Sequence, residues 1–277
     1  MAGALSVQFT QETIPAGFVT APEVLLPPPQ QVGYAGALAV RNLAEHGYIA
    51  ALGLSEGLRD KIAAVAHQEF IRENCWKDEG PKRFGTLESA GQWLGKNGGR
   101  AMVTINRVPE RQGPISLSQL PGLSVADTVL AAYGWLGREP NKHIPGADVT
   151  TAYRVSEEFR KEGLGWVTGV LVVGTAVNRY GLPPERMSLD VWDSNSPAKL
   201  LYMKLGFAER ARGEPEWRPT LWAIGTEFRN GQVAVARIDE DGKAQHMVQD
   251  SRIYMQLDPQ RWDTIEKAAA EKLAAAA

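Results

Sequence analysis

The sequence predicts an α/β protein, because two strand–helix units follow one another in the second half of the chain. Residues 149–155 are rich in β-branched and aromatic side chains and predict a strand. After a glycine-bearing turn, residues 164–177 place apolar or small side chains at helical spacing, and Gly181 ends that helix. Residues 187–192 predict a second buried strand, and residues 196–205 predict a short helix. Strands that alternate with helices indicate the α/β class.

The turn between the first strand and its helix has the properties of an anion site. A strand that leads through a glycine turn into a helix presents free backbone N–H groups at the helix N-terminus. That end carries roughly half a positive charge and suits a phosphate. Gly163 and Gly165 have no Cβ, so an anion can approach the backbone closely. We name residues 160–165 the glycine turn.

The second strand–helix unit has its own pattern. Ser196 is the expected N-cap of the short helix, with Pro197 at its first helical position. Together the two units resemble the GNAT superfamily of acyl-CoA-dependent N-acetyltransferases. The glycine turn fits that family's pyrophosphate turn, (Gln/Arg)-x-x-Gly-x-(Gly/Ala), with Arg160, Lys161, Glu162, Gly163, Leu164 and Gly165. The second motif, Asn-x-x-Ala-x-x-x-Tyr-x-x-x-Gly-Phe, is matched by Asn195, Ala198, Tyr202, Gly206 and Phe207.

The resemblance implies a GNAT fold. In that fold a first strand, here residues 48–54, is followed by two helices and by hairpin-like strands, here residues 100–108 and 128–136. The central sheet is mixed but mostly antiparallel, flanked by helices, and splayed at the cofactor cleft. Residues 251–257 are expected to be the final strand, beside the helix that follows the glycine turn. Asn230-Gly231 predicts a hairpin turn.

We expect three regions along the chain. Residues 1–47 form a Pro-rich, extended N-terminal arm with a short helix, of which residues 1–32 are expected to lie outside the core. Residues 48–257 form the GNAT domain, and residues 258–277 form a C-terminal helix and tail. Two interpretations of the arm remain: a leader on the surface, or an arm that embraces a second subunit in a homodimer.

The function implied by the resemblance is transfer of an acetyl group from acetyl-CoA to a primary amine of a small molecule or protein, without a metal. The alternative is a non-catalytic acyl-CoA sensor or scaffold with the same fold. The resemblance also implies a bulge at Tyr153, Arg154 and Val155, where the strand backbone binds pantetheine and one N–H faces the thioester oxygen. Asn195 is expected either to contact the cofactor or to brace the splayed strands, and Ala198 is expected at the cofactor.

The chain departs from the family at two positions of the glycine turn. Lys161 and Glu162 stand where many relatives have Gly and Lys. A carboxylate beside phosphates is unfavourable unless it points outward. Arg160 or Lys161 is then expected to supply the positive charge.

The resemblance assigns Tyr202 as the general acid that protonates the CoA sulfur; the alternative is a core tyrosine on an apolar helix face. Asp190 is the candidate general base, and the alternative is a structural or substrate-orienting carboxylate. Strand alternation puts Trp192 on the same face as Asp190, where it can form a wall for the acceptor. Glu157 and Glu158 are lesser candidates for the base.

The composition of the chain limits which partners, disulfides, metal sites and cell compartment are expected. The 277 residues carry a net charge of −2 and no long basic run, which does not favour nucleic acid or an anionic membrane as partner. Cys75 is the single cysteine, so no intrachain disulfide is expected. The sequence shows no signal-peptide pattern and no apolar run of membrane-spanning length, so we expect a cytoplasmic protein. The four histidines lack metal-ligand spacing.

Overall fold

Within the part of the chain that the structure describes, the main sheet has eight strands in a mixed arrangement. The structure, a computed structural model, describes residues 23–24, 29–53, 56–73, 84–96, 100–109, 114–116, 123–220, 223–228, 231–238, 242 and 244–276. The strands are β1 Glu23–Val24, β2 Tyr48–Leu52, β3 Arg100–Arg107, β4 Val129–Arg138, β5 Val149–Val155, β6 Met187–Trp192, β7 Phe207–Arg212 and β11 Arg252–Leu257. Their order is β1-β2-β3-β4-β5-β6-β11-β7. Every neighbouring pair is antiparallel except β5 and β6, so the predicted fold class is confirmed.

A second, three-stranded antiparallel sheet lies between β7 and β11 in the chain and was not predicted. Its strands are β8 Glu216–Pro219, β9 Val235–Ile238 and β10 Ala244–Asp250, in the order β8-β10-β9. Near the predicted hairpin, Glu227 and Val233 form an antiparallel bridge, while Asn230 itself lies outside the described residues. The predicted final strand is confirmed as β11, which lies between β6 and β7.

Helices cover both faces of the main sheet. They are α1 Pro29–Glu45, α2 Glu56–Glu73, α3 Leu87–Lys96, α4 Leu164–Asn178, α5 Ser196–Lys204 and α6 Pro259–Ala275. Residues of α1, α4 and α6 share one apolar cluster, and residues of α2 and α3 share the other. β2 contributes to both, because alternate side chains of a strand point to opposite faces: Tyr48 to the first cluster and Ile49 to the second. None of these helices, within the described ranges, is long and apolar enough to cross a membrane.

The helix α1 belongs to the core, so the expectation that residues 1–32 lie outside it is wrong at Val32. Val32 is fully buried in the cluster that also contains Tyr48 and Trp262. The expected regions 1–47, 48–257 and 258–277 thus share one core where the structure describes them. Residues 1–22 and 25–28 of the expected arm, and Cys75, lie outside the described residues.

The α1 helix approaches α4 closely at a glycine. A Cβ at Gly174 would lie 2.0 Å from the backbone oxygen of Val32. The α1 helix is kinked at Gly33, whose φ and ψ are 72° and 177°. After the kink, the backbone N–H of Tyr34 donates to Glu266 Oε2 of α6 at 2.7 Å, so a carboxylate caps the second segment. Burial raises the pKa of Glu266.

We expect Gly174→Ala to lower the free energy of unfolding by about 1–3 kcal/mol, because the added methyl group overpacks the α1–α4 contact. Gly91→Ala is the matched control. Gly91 lies inside α3, and a Cβ there meets nothing within 4 Å. It should therefore raise the free energy of unfolding by up to about 1 kcal/mol. Urea titration of both variants gives the measurement, and a Gly174→Ala protein as stable as the wild type would contradict the α1–α4 packing.

Candidate functional site

The two parallel strands of the main sheet diverge and leave a cleft. β5 and β6 pair only at Val149 with Met187 and at Thr150 with Ser188, and beyond these pairs the strands separate. A cleft of about 670 Å³ lies beside the end of β5, between the glycine turn with the start of α4 and the helix α5. The splay that the resemblance implied is therefore present. The cleft is lined by Val155, Phe159, Arg160, Lys161, Gly163, Leu164, Gly165, Trp166, Pro197, Leu200, Leu201 and Lys204.

The glycine turn delivers the N-terminus of α4 to this cleft. Gly163 is the N-cap, in the left-handed region at φ 79°, and a Cβ there would meet nothing within 4 Å. The first N–H groups of a helix have no acceptor within the helix. Leu164 and Gly165, which carry two of these N–H groups, line the cleft. Gly163 lines it as well, and because it has no side chain the backbone of the turn is accessible there. The arrangement suits an anion.

The charged side chains of the glycine turn are sorted by direction. Arg160 and Lys161 line the cleft, and Lys204 of α5 joins them. Glu162 lies elsewhere: its Oε2 accepts a hydrogen bond of 2.5 Å from the hydroxyl of Tyr48 on β2. Arg160, Lys161 and Lys204 therefore line the cleft with positive charge, while Glu162 is bound to β2. The condition set for Glu162, that it point away, is met.

The expected bulge in β5 is wrong. β4 and β5 pair without a shift from Ala132 with Val155 to Arg138 with Val149. Tyr153 and Val155 consequently pack on the α4 side. Arg154 points to the opposite face, where its Cζ lies 5.8 Å from the centroid of the Phe84 ring. The pairing of β4 with β5 leaves no extra residue to turn an N–H toward the cleft at this point.

The N-cap of the helix α5 lies one residue earlier than expected. Asn195 is the N-cap, and its Oδ1 accepts a hydrogen bond of 3.3 Å from the N–H of Ala198. Ser196 is the first helical residue, so its prediction as the N-cap is wrong. Asn195 and Ala198 are not among the residues that line the cleft; the side chain of Asn195 instead fixes where α5 starts.

Tyr202 lies half-buried on α5 and is not among the residues that line the cleft. Its ring centroid is 5.8 Å from that of Tyr153 and 6.3 Å from that of Phe207. Burial raises the pKa of Tyr202 to about 12; the positive charge of Arg154 acts to lower it, and the negative charge of Asp190 acts to raise it. Burial also raises the pKa of Tyr153. Tyr202 is thus a protonated donor at neutral pH.

Asp190 lies on the other face of the sheet from α4. It is exposed and forms an ion pair with Arg252, the residue that opposes Trp192 across the β6–β11 pair. The Cζ of Arg252 lies 4.0 Å from the centroid of the Trp192 ring. Asp190 and Trp192 share a face, as strand alternation predicted. The ion pair with Arg252 was not predicted, because the two residues are 62 positions apart.

The loop between β6 and α5 is held by a buried carboxylate. Asp250 is fully buried, and its oxygens accept hydrogen bonds from the N–H of Ser194 at 3.1 Å, the hydroxyl of Ser194 at 2.5 Å and the Nε of Arg218 at 2.8 Å. The second sheet, which contributes Asp250 and Arg218, therefore positions the loop that leads to α5 and Tyr202. No sequence signal links Ser194 to Asp250.

Sequence reasoning missed half of the cleft lining. Phe159, Trp166, Pro197, Leu200, Leu201 and Lys204 flank the two motifs without belonging to the motif positions. Their closeness to the motifs in the chain was the available signal. Across the described ranges, no group of three His, Cys, Asp or Glu side chains could hold a metal ion.

The sequence matches no protein-family model and no curated protein. Solved structures with a similar fold include yncA of Salmonella typhimurium with its cofactor acetyl-CoA, at 15% identity and a TM-score of 0.43 over 76% of this chain and 94% of that one. Others are the ribosomal-protein-alanine N-acetyltransferase of Brucella melitensis, at 14% identity and 0.42 over 73% and 95%, and the spermidine/spermine N-acetyltransferase SpeG of Vibrio cholerae, at 11% and 0.42 over 74% and 92%. Likenesses of this size carry no argument about substrate or activity.

Proposed function

We propose that the protein is an N-acetyltransferase that transfers the acetyl group of acetyl-CoA to a primary amine. The observation that carries the proposal is the cleft at the β5–β6 divergence. Its wall combines a helix N-terminus with three cationic side chains, and the protonated Tyr202 follows the lining residue Leu201 on α5 without itself lining the cleft. The first two suit a pyrophosphate, and the third suits a leaving thiolate.

The residues at the cleft fit CoA in charge and shape. The N–H groups of Leu164 and Gly165 would hold the pyrophosphate, with Arg160, Lys161 or Lys204 adding charge. The open space at Gly163 leaves room for close approach of an anion to the backbone. Val155 and Leu201 offer apolar wall to the pantetheine chain.

The reaction we propose is direct aminolysis. The amine nitrogen, as a free base, bonds to the thioester carbonyl carbon. The C–S bond then breaks, its electron pair leaves with sulfur, and the nitrogen loses one proton. The products are an acetamide and CoA. The acceptor is a primary amine of a small molecule or of a protein.

Tyr202 is proposed as the donor to the departing sulfur. With its pKa at about 12 it is protonated throughout the neutral range. A thiol ionises at a pKa of about 8.5, so complete transfer of the phenolic proton to a thiolate is uphill. The proposed role is therefore a hydrogen bond that strengthens as charge develops on sulfur. Such a donor acts in the transition state more than in the ground state.

Asp190 is proposed as the group that receives the amine proton. Arg252 contacts its Oδ2, so Oδ1 is the oxygen that could accept. The side chain lies on the face opposite α4, so an acceptor amine would enter from that face while CoA lies on the other. Trp192 would form part of the acceptor wall there.

The alternative is an acyl-CoA sensor or scaffold without turnover. One observation favours it over the enzyme: Asp190 is already paired with Arg252. This pairing would slow proton transfer without affecting cofactor binding. Turnover, not binding, separates this alternative from the enzyme.

We expect acetyl-CoA at 100 times its Kd to raise the free energy of unfolding by about 2.7 kcal/mol. Gly163→Val should weaken this binding strongly, because the side chain enters the pyrophosphate site. The control is Gly181→Val, which lies past the other end of α4 at φ 60°, with open space around its Cβ. Both variants place valine in the left-handed region, so both carry similar backbone strain. Thermal denaturation with and without acetyl-CoA gives the comparison.

Binding without thiol release across a broad amine panel would favour the sensor. An absence of stabilisation in the wild type would contradict both the enzyme and the sensor. Equal binding by Gly163→Val and Gly181→Val would show that the pyrophosphate does not lie at the glycine turn.

We expect Tyr202→Phe to lower kcat by about 100-fold with little change in the affinity for acetyl-CoA, in the range for a hydrogen-bond donor that stabilises charge developing in the transition state. The ring is retained, so its packing on Tyr153 and Phe207 is kept. Steady-state kinetics and calorimetric binding measure the two quantities. A stable variant with full kcat would remove Tyr202 from the mechanism.

We expect Asp190→Asn to lower kcat/KM for amines of high pKa and to spare amines that are already free bases at the assay pH. The reason is that the carboxylate would take the proton that an ammonium ion must lose before attack, and an amine that is already a free base carries no such proton. Rates for a series of amines against pH provide the measurement. An equal loss for all amines would assign Asp190 an orienting role instead.

A further inference from the structure

We propose that Tyr48, supported by Arg107, holds Glu162 away from the cleft and thereby positions the glycine turn for anion binding. Glu162 then acts as a positioning residue: its hydrogen bond to Tyr48 sets the direction of its neighbours. The inference rests on the proposed function only for the identity of the anion, the pyrophosphate of CoA.

The contacts form a short chain across the sheet. Tyr48 is 2% exposed on β2, and its hydroxyl donates to Glu162 Oε2 at 2.5 Å. Arg107 lies directly opposite Tyr48 in the β2–β3 pair, and its Nη1 donates to the same hydroxyl at 3.1 Å. The Cζ of Arg107 also lies 4.9 Å from the centroid of the Tyr48 ring. The guanidinium thus fixes the hydroxyl that in turn fixes the carboxylate.

The segment that carries the glycine turn is attached at its start and along its length. The N–H and hydroxyl of Ser156 donate to Ala131 and Leu130 backbone oxygens of β4, at 2.9 Å and 3.0 Å. Phe159 then meets Tyr48 edge-on, with centroids 6.2 Å apart. Glu162 makes the last attachment before α4 begins. Tyr48 therefore contacts this segment at two places.

The backbone between these attachments is unusual at Lys161. It has φ 76°, which no other non-glycine residue shares within the described ranges. The left-handed region costs a residue with a Cβ about 1–2 kcal/mol, so it needs support from neighbouring contacts. With Glu162 bound to Tyr48, Lys161 lines the cleft, and the two opposite charges point in different directions.

The arrangement also controls charge at the anion site. An unbound Glu162 carboxylate could turn to the cations at the cleft and repel a phosphate. Burial raises the pKa of Tyr48, and the hydrogen bond to Glu162 acts in the same direction, so the hydroxyl stays protonated as a donor. Arg107 places a compensating positive charge behind it.

We expect Tyr48→Phe to weaken CoA binding about tenfold, to leave kcat nearly unchanged, and to speed amide hydrogen exchange in residues 157–163. The phenyl ring keeps its packing, and only the donor is lost. Tyr180→Phe is the control, since it removes another buried tyrosine hydroxyl beyond the far end of α4. It should change neither CoA affinity nor exchange in this segment. Titration calorimetry and exchange mass spectrometry give the two readouts.

The Glu162 variants separate position from charge. Glu162→Gln keeps an oxygen acceptor without the charge, so CoA should bind at least as tightly as to the wild type. Glu162→Ala loses the attachment but also the repelling charge, so its affinity should fall less than that of Tyr48→Phe. Adding Glu162→Ala to Tyr48→Phe should then partly restore affinity, while exchange stays fast.

Unchanged exchange in Tyr48→Phe and Glu162→Ala would overturn the inference, and so would a loss of thermal stability with unchanged affinity and exchange. If the wild type does not bind CoA, the proposed function fails, while the exchange comparison still decides whether Tyr48 holds the turn. Should Tyr48→Phe not fold, Glu162→Ala and Glu162→Gln carry the test, because Glu162 is exposed.

Discussion

Two residue pairs join the halves of the main sheet, Val149 with Met187 and Thr150 with Ser188, and the candidate site depends on their being so few. A parallel pair needs a crossover connection, and here that connection is α4 with the glycine turn before it. Because β5 and β6 separate beyond these pairs, the N-terminus of α4 faces the open cleft and is not covered by another element of the described chain.

Carboxylates hold several segments of the chain in place by bonds between residues far apart in sequence. Glu162 binds Tyr48, Asp250 binds Ser194 and Arg218, and Glu266 caps the chain at Tyr34. A carboxylate is costly to bury unless its oxygens are bonded, as those of the fully buried Asp250 are. Each of these carboxylates has at least one such bond, and each sets the position of a loop or helix start. Polar contacts between distant segments therefore position these loops and helix starts on the apolar core.

The sequence by itself determined the sheet class, most of the strands and helices, and the location of the glycine turn. Periodicity and glycine placement are local properties, so residues 149–155, the turn at Gly163 and the helix after it were predictable from neighbours in the chain. Motif spacing likewise brought Arg160, Lys161 and Tyr202 into one region. The local pattern gave the wrong start for one helix: the N-cap of α5 is Asn195 and not Ser196. Both residues are good caps, and only the backbone geometry decides between them.

Only the tertiary structure decided what each charged side chain faces. Glu162 and Lys161 are adjacent in sequence, yet one binds Tyr48 and the other lines the cleft. Asp190 is paired with Arg252, and α1 packs so closely on α4 that Gly174 has no room for a Cβ. The physical reason is distance along the chain. Partners separated by many residues meet only when the sheet order brings their strands together, and local sequence patterns do not determine that order.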